Sequence, residues 1–162
     1  MFDLFRKKDV NVVDINAICD AVTLPIEEVP DITFSEKLIG DGLAFNFKED
    51  TIYSPCDGKI ILVSKTKHAI GIKCDNGAEI MIHCGLETVT LKGNGLYPQV
   101  ECGQKIKKGK PILKVDREYM DKNNIDLITP VVVTNKDDYE ITKIMVGREC
   151  SIKDVVMKLT KK

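Results

Sequence analysis

Apolar residues in this chain fall mainly into short alternating runs separated by turn residues. That is the period-two pattern of half-buried β-strands, not the 3.6 period of helices. The pattern predicts strands at Leu43-Ala-Phe-Asn-Phe47, Lys59-Ile-Ile-Leu-Val-Ser64, Leu86-Glu-Thr-Val-Thr-Leu91, Pro111-Ile-Leu-Lys-Val-Asp116, Ile128 to Thr134 and Tyr139 to Val146. Between Val10 and Val29 apolar residues are frequent, but Pro25 and Pro30 interrupt any long helix, so short strands fit there too. Thr33 to Ile39 reads as a short helical or extended piece, and Arg117 to Asp126 is the best helix candidate. Turn signals such as Gly40-Asp-Gly42, Cys56-Asp-Gly58 and Lys92-Gly-Asn-Gly95 recur about every ten residues. The expected fold is all-β, a compact antiparallel β-sandwich or barrel with short helical turns. Ile18-Cys-Asp-Ala21 echoes Pro55-Cys-Asp-Gly58, a hint of duplicated β topology.

One stretch organises the rest: His68-Ala-Ile-Gly-Ile-Lys-Cys-Asp-Asn-Gly-Ala-Glu-Ile-Met-Ile-His83, which begins and ends on the only two histidines. Asn76-Gly77 between alternating runs signals a hairpin with a two-residue primed turn, in which both central residues take positive φ. In that register Asp75 faces Ala78, Lys73 faces Ile80, Ile70 faces His83 and His68 faces Gly85. His68, Ile70 and Ile72 then share a face with Glu79, Met81 and His83. The two imidazoles become diagonal neighbours, roughly 7–8 Å apart at the backbone. An unbulged three-residue loop would instead send them to opposite faces.

At 162 residues the chain is long enough for one domain with a substantial core, placed at residues 17–162 behind a flexible N-terminal segment, 1–16. The tip, with Phe2, Leu4 and Phe5 beside Arg6, Lys7 and Lys8, could touch an anionic membrane weakly. A net charge of −1 gives no electrostatic footprint for nucleic acid. No apolar run reaches the ~20 residues of a membrane span and no secretory signal opens the chain, so a cytoplasmic protein is expected. The six cysteines include no CxxC pair, which favours buried reduced thiols over disulfides or structural zinc. Cys84 stands out because it directly follows His83.

The missing motifs narrow the chemistry. There is no GxxxxGK[ST] to cradle a nucleotide, no GxSxG nucleophile elbow and no HExxH zinc motif. The histidine pair remains as the chief reactive candidate. A neutral imidazole is a good nucleophile near pH 7, and a second imidazole beside it can hold a phosphoryl oxygen. Thr66, two residues before His68, is placed to orient that ring through its hydroxyl. Gly85, opposite His68, would leave room for a ligand or partner. The alternative is two ordinary surface histidines on a β-face.

These residues also resemble a known family. Val29-Pro-Asp, Phe34-Ser-Glu-Lys37, Gly40-Asp-Gly42, Pro55-Cys-Asp-Gly58, Thr66-Lys-His-Ala69 and Gly77-Ala-Glu-Ile-Met-Ile-His83-Cys-Gly85-Leu-Glu-Thr-Val89 occur in order. Leu91-Lys-Gly-Asn-Gly95, Glu101-Cys-Gly-Gln104 with Gly109, and Thr129-Pro-Val-Val132 continue the series. It is similar to the glucose-type enzyme IIA of the bacterial phosphoenolpyruvate:sugar phosphotransferase system, over residues 26–160. Cys84, Glu87, Leu96 and Ala21 depart from that family's usual residues.

The resemblance implies a β-sandwich of the duplicated hybrid-motif kind. It implies that His83 accepts a phosphoryl group from the carrier HPr and passes it to a cysteine of an enzyme IIB domain of a sugar permease (IICB). His68 would assist and Thr66 would orient His68. Phe34, Ile39 and Val89 would form an apolar docking rim, with Gly85 and Glu87 near the site. No cofactor is required, although zinc bridging His68, His83 and a partner carboxylate is known in the family. A monomer is expected. A second reading is a regulatory binding protein, in which the phosphorylation state of His83 sets which transporters or kinases it meets. A zinc hydrolase lacks a third ligand, and a biotinyl or lipoyl carrier lacks a suitable lysine turn.

Overall fold

Strand pairing is antiparallel throughout the described residues, 11–162, of the computed structural model. In chain order the strands are β1 (Val12–Asn16), β2 (Ala21–Pro25), β3 (Asp41–Phe47), β4 (Thr51–Tyr53), β5 (Gly58–Val63), β6 (Ala69–Cys74) and β7 (Glu79–His83). There follow β8 (Leu96–Pro98), β9 (Lys105–Ile106), β10 (Pro111–Val115), β11 (Thr129–Val133), β12 (Tyr139–Lys143), β13 (Glu149–Cys150) and β14 (Val155–Lys161). Among the described residues helix is confined to α1 (Ile32–Ser35), α2 (Arg117–Lys122) and single 3₁₀ turns at Ile26–Glu28, Thr88–Leu91 and Lys136–Asp138.

The strands form three open sheets. An eight-stranded sheet runs β13-β2-β3-β11-β7-β6-β5-β9, and two three-stranded sheets run β1-β14-β12 and β4-β10-β8. Their inner faces meet in one core, where Phe45, Ile72, Ile80 and Val131 of the large sheet pack with Ile15, Leu159, Ile52 and Leu113 of the small ones. This is the expected β-sandwich; no sheet of the described residues closes into a barrel. A second, smaller cluster of Ile26, Val29, Phe34, Ala44, Leu86 and Val132 lies apart from that core, with Met81 packed against it.

Several expected elements move. Residues 1–16 are not one flexible segment: Val12–Asn16 is β1, paired along its length with β14. The basic tip at residues 2–8 lies outside the described residues. β14 itself, Val155-Val-Met-Lys-Leu-Thr-Lys161, alternates plainly and was not predicted, yet it is the central strand of its sheet. Leu86–Leu91 is not a strand. Glu87 (φ 56°) and Lys92 (φ 53°) take left-handed conformations on either side of the Thr88–Leu91 turn, and Thr88 Oγ1 donates back to the Cys84 carbonyl at 2.6 Å. Such local side-chain bonding competes with a strand ladder. Helix α2 stops at Lys122, four residues short of Asp126, and the left-handed Asn124 (φ 54°) follows.

The central hairpin forms, but one residue out of the expected register. Gly71 faces Met81, Ile72 faces Ile80 and Ala69 faces His83. Of the Asn76-Gly77 pair only Gly77 takes positive φ (88°), so a primed two-residue turn is excluded. Asp75-Asn76-Gly77 is a three-residue loop, closed by Cys74 N–H to Ala78 O (2.8 Å) and Gly77 N–H to Cys74 O (2.9 Å). Asn76 settles the choice. Its side chain is buried; Nδ2 donates to the Leu159 carbonyl (3.0 Å) and Oδ1 accepts from the Ala78 amide (3.1 Å). Tyr139 Oη donates to the Asn76 carbonyl at 2.7 Å. The loop tip is therefore bolted to β14 and β12. Consequently Ile70, Ile72, Ile80 and Ile82 face the core, and Glu79, Met81 and His83 face outward with Ala69, Gly71 and Lys73.

Truncating Asn76 strands buried backbone partners. Asn76→Ala is expected to lower the free energy of unfolding by about 2–3 kcal/mol, read as a lower urea midpoint with unchanged slope.

Candidate functional site

His83 ends β7 on the outer face, where a regular ladder of the observed register would put His68 on the opposite side. His68 escapes that rule because it precedes β6, in the β5–β6 turn after Lys67, whose left-handed backbone (φ 64°) redirects the chain. The His68 carbonyl still accepts from the Cys84 amide at 2.7 Å, so the two histidine-bearing segments are joined beside the rings. The imidazoles meet edge to face with centroids 4.7 Å apart. The expected pairing is present, but its cause is the turn before β6 and not the parity of the hairpin.

Each ring is held through Nδ1. His83 Nδ1 lies 2.8 Å from the Gly85 carbonyl oxygen. A carbonyl can only accept, so Nδ1 carries the proton and Nε2 of the neutral ring keeps its lone pair. His68 Nδ1 lies 2.7 Å from Thr66 Oγ1 and 3.5 Å from Ser64 Oγ. Thr66 thus reaches His68 from within the turn, not from a shared strand face. Phe34 of α1 packs edge to face on His83, centroids 5.0 Å apart.

Burial pushes the His83 pKa below its ordinary value, against the Gly85 carbonyl and the Asp31 carboxylate, which pull it up. His68 shifts the same way, by burial first and then by the neighbouring imidazole. Both rings are neutral near pH 7. Cys84 is fully buried and its thiol is pushed up to about 12 by burial, which disfavours the thiolate. All six cysteines are free, and only Cys102 is exposed.

The remaining predicted residues divide. Gly85 does not open space opposite His68. It takes φ +74°, and a Cβ there would meet Thr88 Cγ2 at 2.6 Å and the Asp126 carbonyl at 2.9 Å. Glycine is required for the carbonyl to turn back to His83. Phe34 is 2% exposed, so it is the floor of the site and not part of an exposed rim. Ile39 is half-buried and packs against the small cluster under Phe34. Val89 is 52% exposed, as a docking rim needs. Glu87 lines a shallow cleft with Asp31, Leu86 and Asp126. Sequence reasoning missed Ile32 and Leu38, which flank Phe34 in the chain and are 63% and 68% exposed. It also missed Asp31, whose side chain accepts from the Thr33 amide at 3.0 Å and caps α1. The Asp-Ile-Thr spacing, an Asp two residues before Thr, was the available signal.

No group of three or more His, Cys, Asp or Glu side chains among the described residues could hold a metal. The two imidazoles amount to half a zinc site at most. No helix of the described residues is long and apolar enough to cross a membrane.

Comparison with known proteins assigns the family. Residues 13–139 match the family model of the phosphoenolpyruvate-dependent sugar phosphotransferase system, EIIA 1. The chain is 46% identical over 122 residues to the glucose-specific EIIA component of that system from Bacillus cereus, covering 75% of this chain and 74% of the relative. It is 43% identical over 115 residues to the one from Staphylococcus epidermidis, covering 71% and 69%. Among solved structures it superposes on the glucose permease IIA from Mycoplasma capricolum with TM-score 0.80 and 33% identity, covering 95% of this chain and 97% of that one.

Depressed histidine pKa values carry a definite sign. Below the unfolded value of about 6.5 the unfolded chain takes up protons that the folded chain refuses, so stability falls as pH drops from there toward the folded values and is level above. Nuclear magnetic resonance titration is expected to place both imidazole midpoints below about 6.5, with unfolding free energy declining over the same window.

Proposed function

This chain belongs to the EIIA 1 family of the phosphoenolpyruvate-dependent sugar phosphotransferase system, and we propose that His83 Nε2 carries its phosphoryl group. The observation behind this reading is the 2.8 Å contact between His83 Nδ1 and the Gly85 carbonyl, which leaves one nitrogen of a neutral imidazole free on an apolar face. In the accepting step the Nε2 lone pair forms the new N–P bond while the N–P bond of the HPr phosphohistidine breaks and its electron pair returns to the donor ring. In the donating step a cysteine thiolate of the IIB domain forms an S–P bond and the Nε2–P bond breaks. Neither step needs a nucleotide, in keeping with the lack of a phosphate loop. Such transfers depend on alignment and charge stabilisation rather than elaborate covalent machinery.

His68 is assigned to the phosphoryl oxygens. In support, its ring lies against His83 and Thr66 engages Nδ1, which leaves Nε2 for the transferring group. Gly85 sets the nucleophile's tautomer, and Phe34 and Glu87 shape the surroundings of His83. Ile32, Leu38 and Val89 supply exposed apolar contacts suited to brief, successive docking of a donor and an acceptor. The substrate class is a glucose-type permease, as in the relatives, and the site of action is the cytoplasm, as a monomer. Zinc would bind only where a partner carboxylate completes the two imidazoles.

Incubation with phosphoenolpyruvate, enzyme I and HPr is expected to add one acid-labile phosphate, mapped by mass spectrometry to His83, and His83→Ala is expected to add none. His68→Gln is expected to charge but to lose transfer to the IIB domain by about a hundredfold, the scale of one lost charge-stabilising donor. Phosphate on another residue, or discharge by His68→Gln at the unaltered rate, contradicts the assignment.

A further inference from the structure

From the Cys84 carbonyl to the Leu86 amide every backbone polar group is bonded, and the partners fall into two pairs. A trans peptide group is planar, with its C=O and N–H pointing opposite ways. In the Gly85–Leu86 group the carbonyl meets His83 Nδ1 at 2.8 Å and the N–H donates to the Asp126 carbonyl at 2.9 Å. In the Cys84–Gly85 group the carbonyl accepts from Thr88 Oγ1 at 2.6 Å and the N–H donates to Thr129 Oγ1 at 3.2 Å. Side-chain hydroxyls therefore grip one peptide plane from both ends, directly before the plane that orients the His83 ring.

The two threonines come from different parts of the fold. Thr88 opens the 3₁₀ turn Thr88–Leu91 and bonds back over four residues. Thr129 opens β11, 44 residues from Gly85 in sequence. The ladder between β11 and β7 stops at Val131 opposite Ile82, and Pro130, with no amide hydrogen, comes next. Beyond it the Thr129 hydroxyl, and not a ladder bond, reaches the chain leaving β7. That hydroxyl donates to the Leu127 carbonyl at 2.9 Å, which leaves its lone pairs for Gly85 N–H. Both threonines are fully buried. Valine has nearly the same shape and no hydroxyl to satisfy, so packing alone does not call for threonine at either place.

Gly85 makes the grip necessary. Only its φ and ψ separate the two peptide planes, and glycine holds those angles less firmly than any other residue. We propose that Thr88 and Thr129 are positioning residues for phosphoryl transfer: by clamping the Cys84–Gly85 peptide they fix the direction of the Gly85 carbonyl, and through it the proton on His83 Nδ1. Their role rests on the phosphocarrier reading for what the aligned Nε2 does, and it adds the pair of hydroxyls that keep that nitrogen aligned.

Thr129→Val and Thr88→Val remove the hydroxyls at nearly constant volume, whereas Thr129→Ser and Thr88→Ser keep them. Nitrogen-15 resonances of the uncharged, histidine-labelled full chain are recorded where both imidazoles are neutral. In the unaltered chain and the Ser variants the two His83 nitrogens are expected to stay widely separated, the mark of one fixed tautomer. In each Val variant they are expected to draw together as the tautomers exchange. Charging by phospho-HPr is expected to lose about tenfold in turnover in the Val variants, at an unchanged half-saturating HPr concentration, and serine is expected to restore it. Each Val variant leaves a buried backbone group unpaired, so measurements are made well below its thermal midpoint. If one fails to fold, the other reports on the same peptide. A folded Val variant with the unaltered tautomer and turnover overturns the proposal, and so does a Ser variant that loses as much as its Val counterpart. The spectra need no phosphoryl donor, so they judge the clamp separately from the phosphocarrier reading, which fails if the unaltered chain is not charged on His83.

Discussion

The site depends on one hydrogen bond, from His83 Nδ1 to the carbonyl of a residue only two positions further on. An imidazole has two nitrogens of similar basicity, and without a fixed acceptor the proton and the lone pair would exchange places. The Gly85 carbonyl removes that freedom. It can do so because Gly85 is left-handed and packs against Thr88 and the Asp126 carbonyl, where no side chain fits. Gly85 N–H is itself tied to Thr129 Oγ1 (3.2 Å) and Leu86 N–H to the Asp126 carbonyl (2.9 Å). The orientation of one ring is thereby carried into the loop at Asp126 and into β11, a strand inside the large sheet.

Burial does the rest of the tuning. Phe34 and His68 both pack edge to face on His83, and its burial disfavours imidazolium. Full burial would have shut out a protein partner. The rings instead lie at the end of β7 and in an adjoining turn, half-exposed, and Ile32, Leu38 and Val89 are exposed in the segments that follow Asp31 and Glu87. A small apolar cluster under this face, separate from the main core, allows the site to be rigid without being deep.

Strand alternation made the sandwich legible in the sequence, as did the place of the two histidines, the Thr66–His68 contact and the reduced state of the cysteines. The register of the central hairpin was not. Asn76-Gly77 fits a primed turn by local preference, but Asn76 makes its hydrogen bonds to β14, more than eighty residues away in sequence, and those bonds select a three-residue loop. Tertiary contacts overrode turn propensity. The histidines meet regardless, because Lys67 breaks the alternation that the wrong register had relied on. Gly85 was recognised as special for the wrong reason: its positive φ is a property of the backbone that no neighbouring residue type announces. The left-handed Glu87 and Lys92 similarly hid a turn inside what reads as an alternating strand.

Because so much follows from a fixed tautomer, the decisive observation is the nitrogen that bonds to phosphorus. Nitrogen-15 resonance of histidine-labelled protein, recorded after charging through HPr, distinguishes the two ring positions directly. The structure predicts phosphorus on Nε2 of His83, with Nδ1 still protonated and hydrogen-bonded. Phosphorus on Nδ1 would require the Gly85 contact to be broken and would contradict the account.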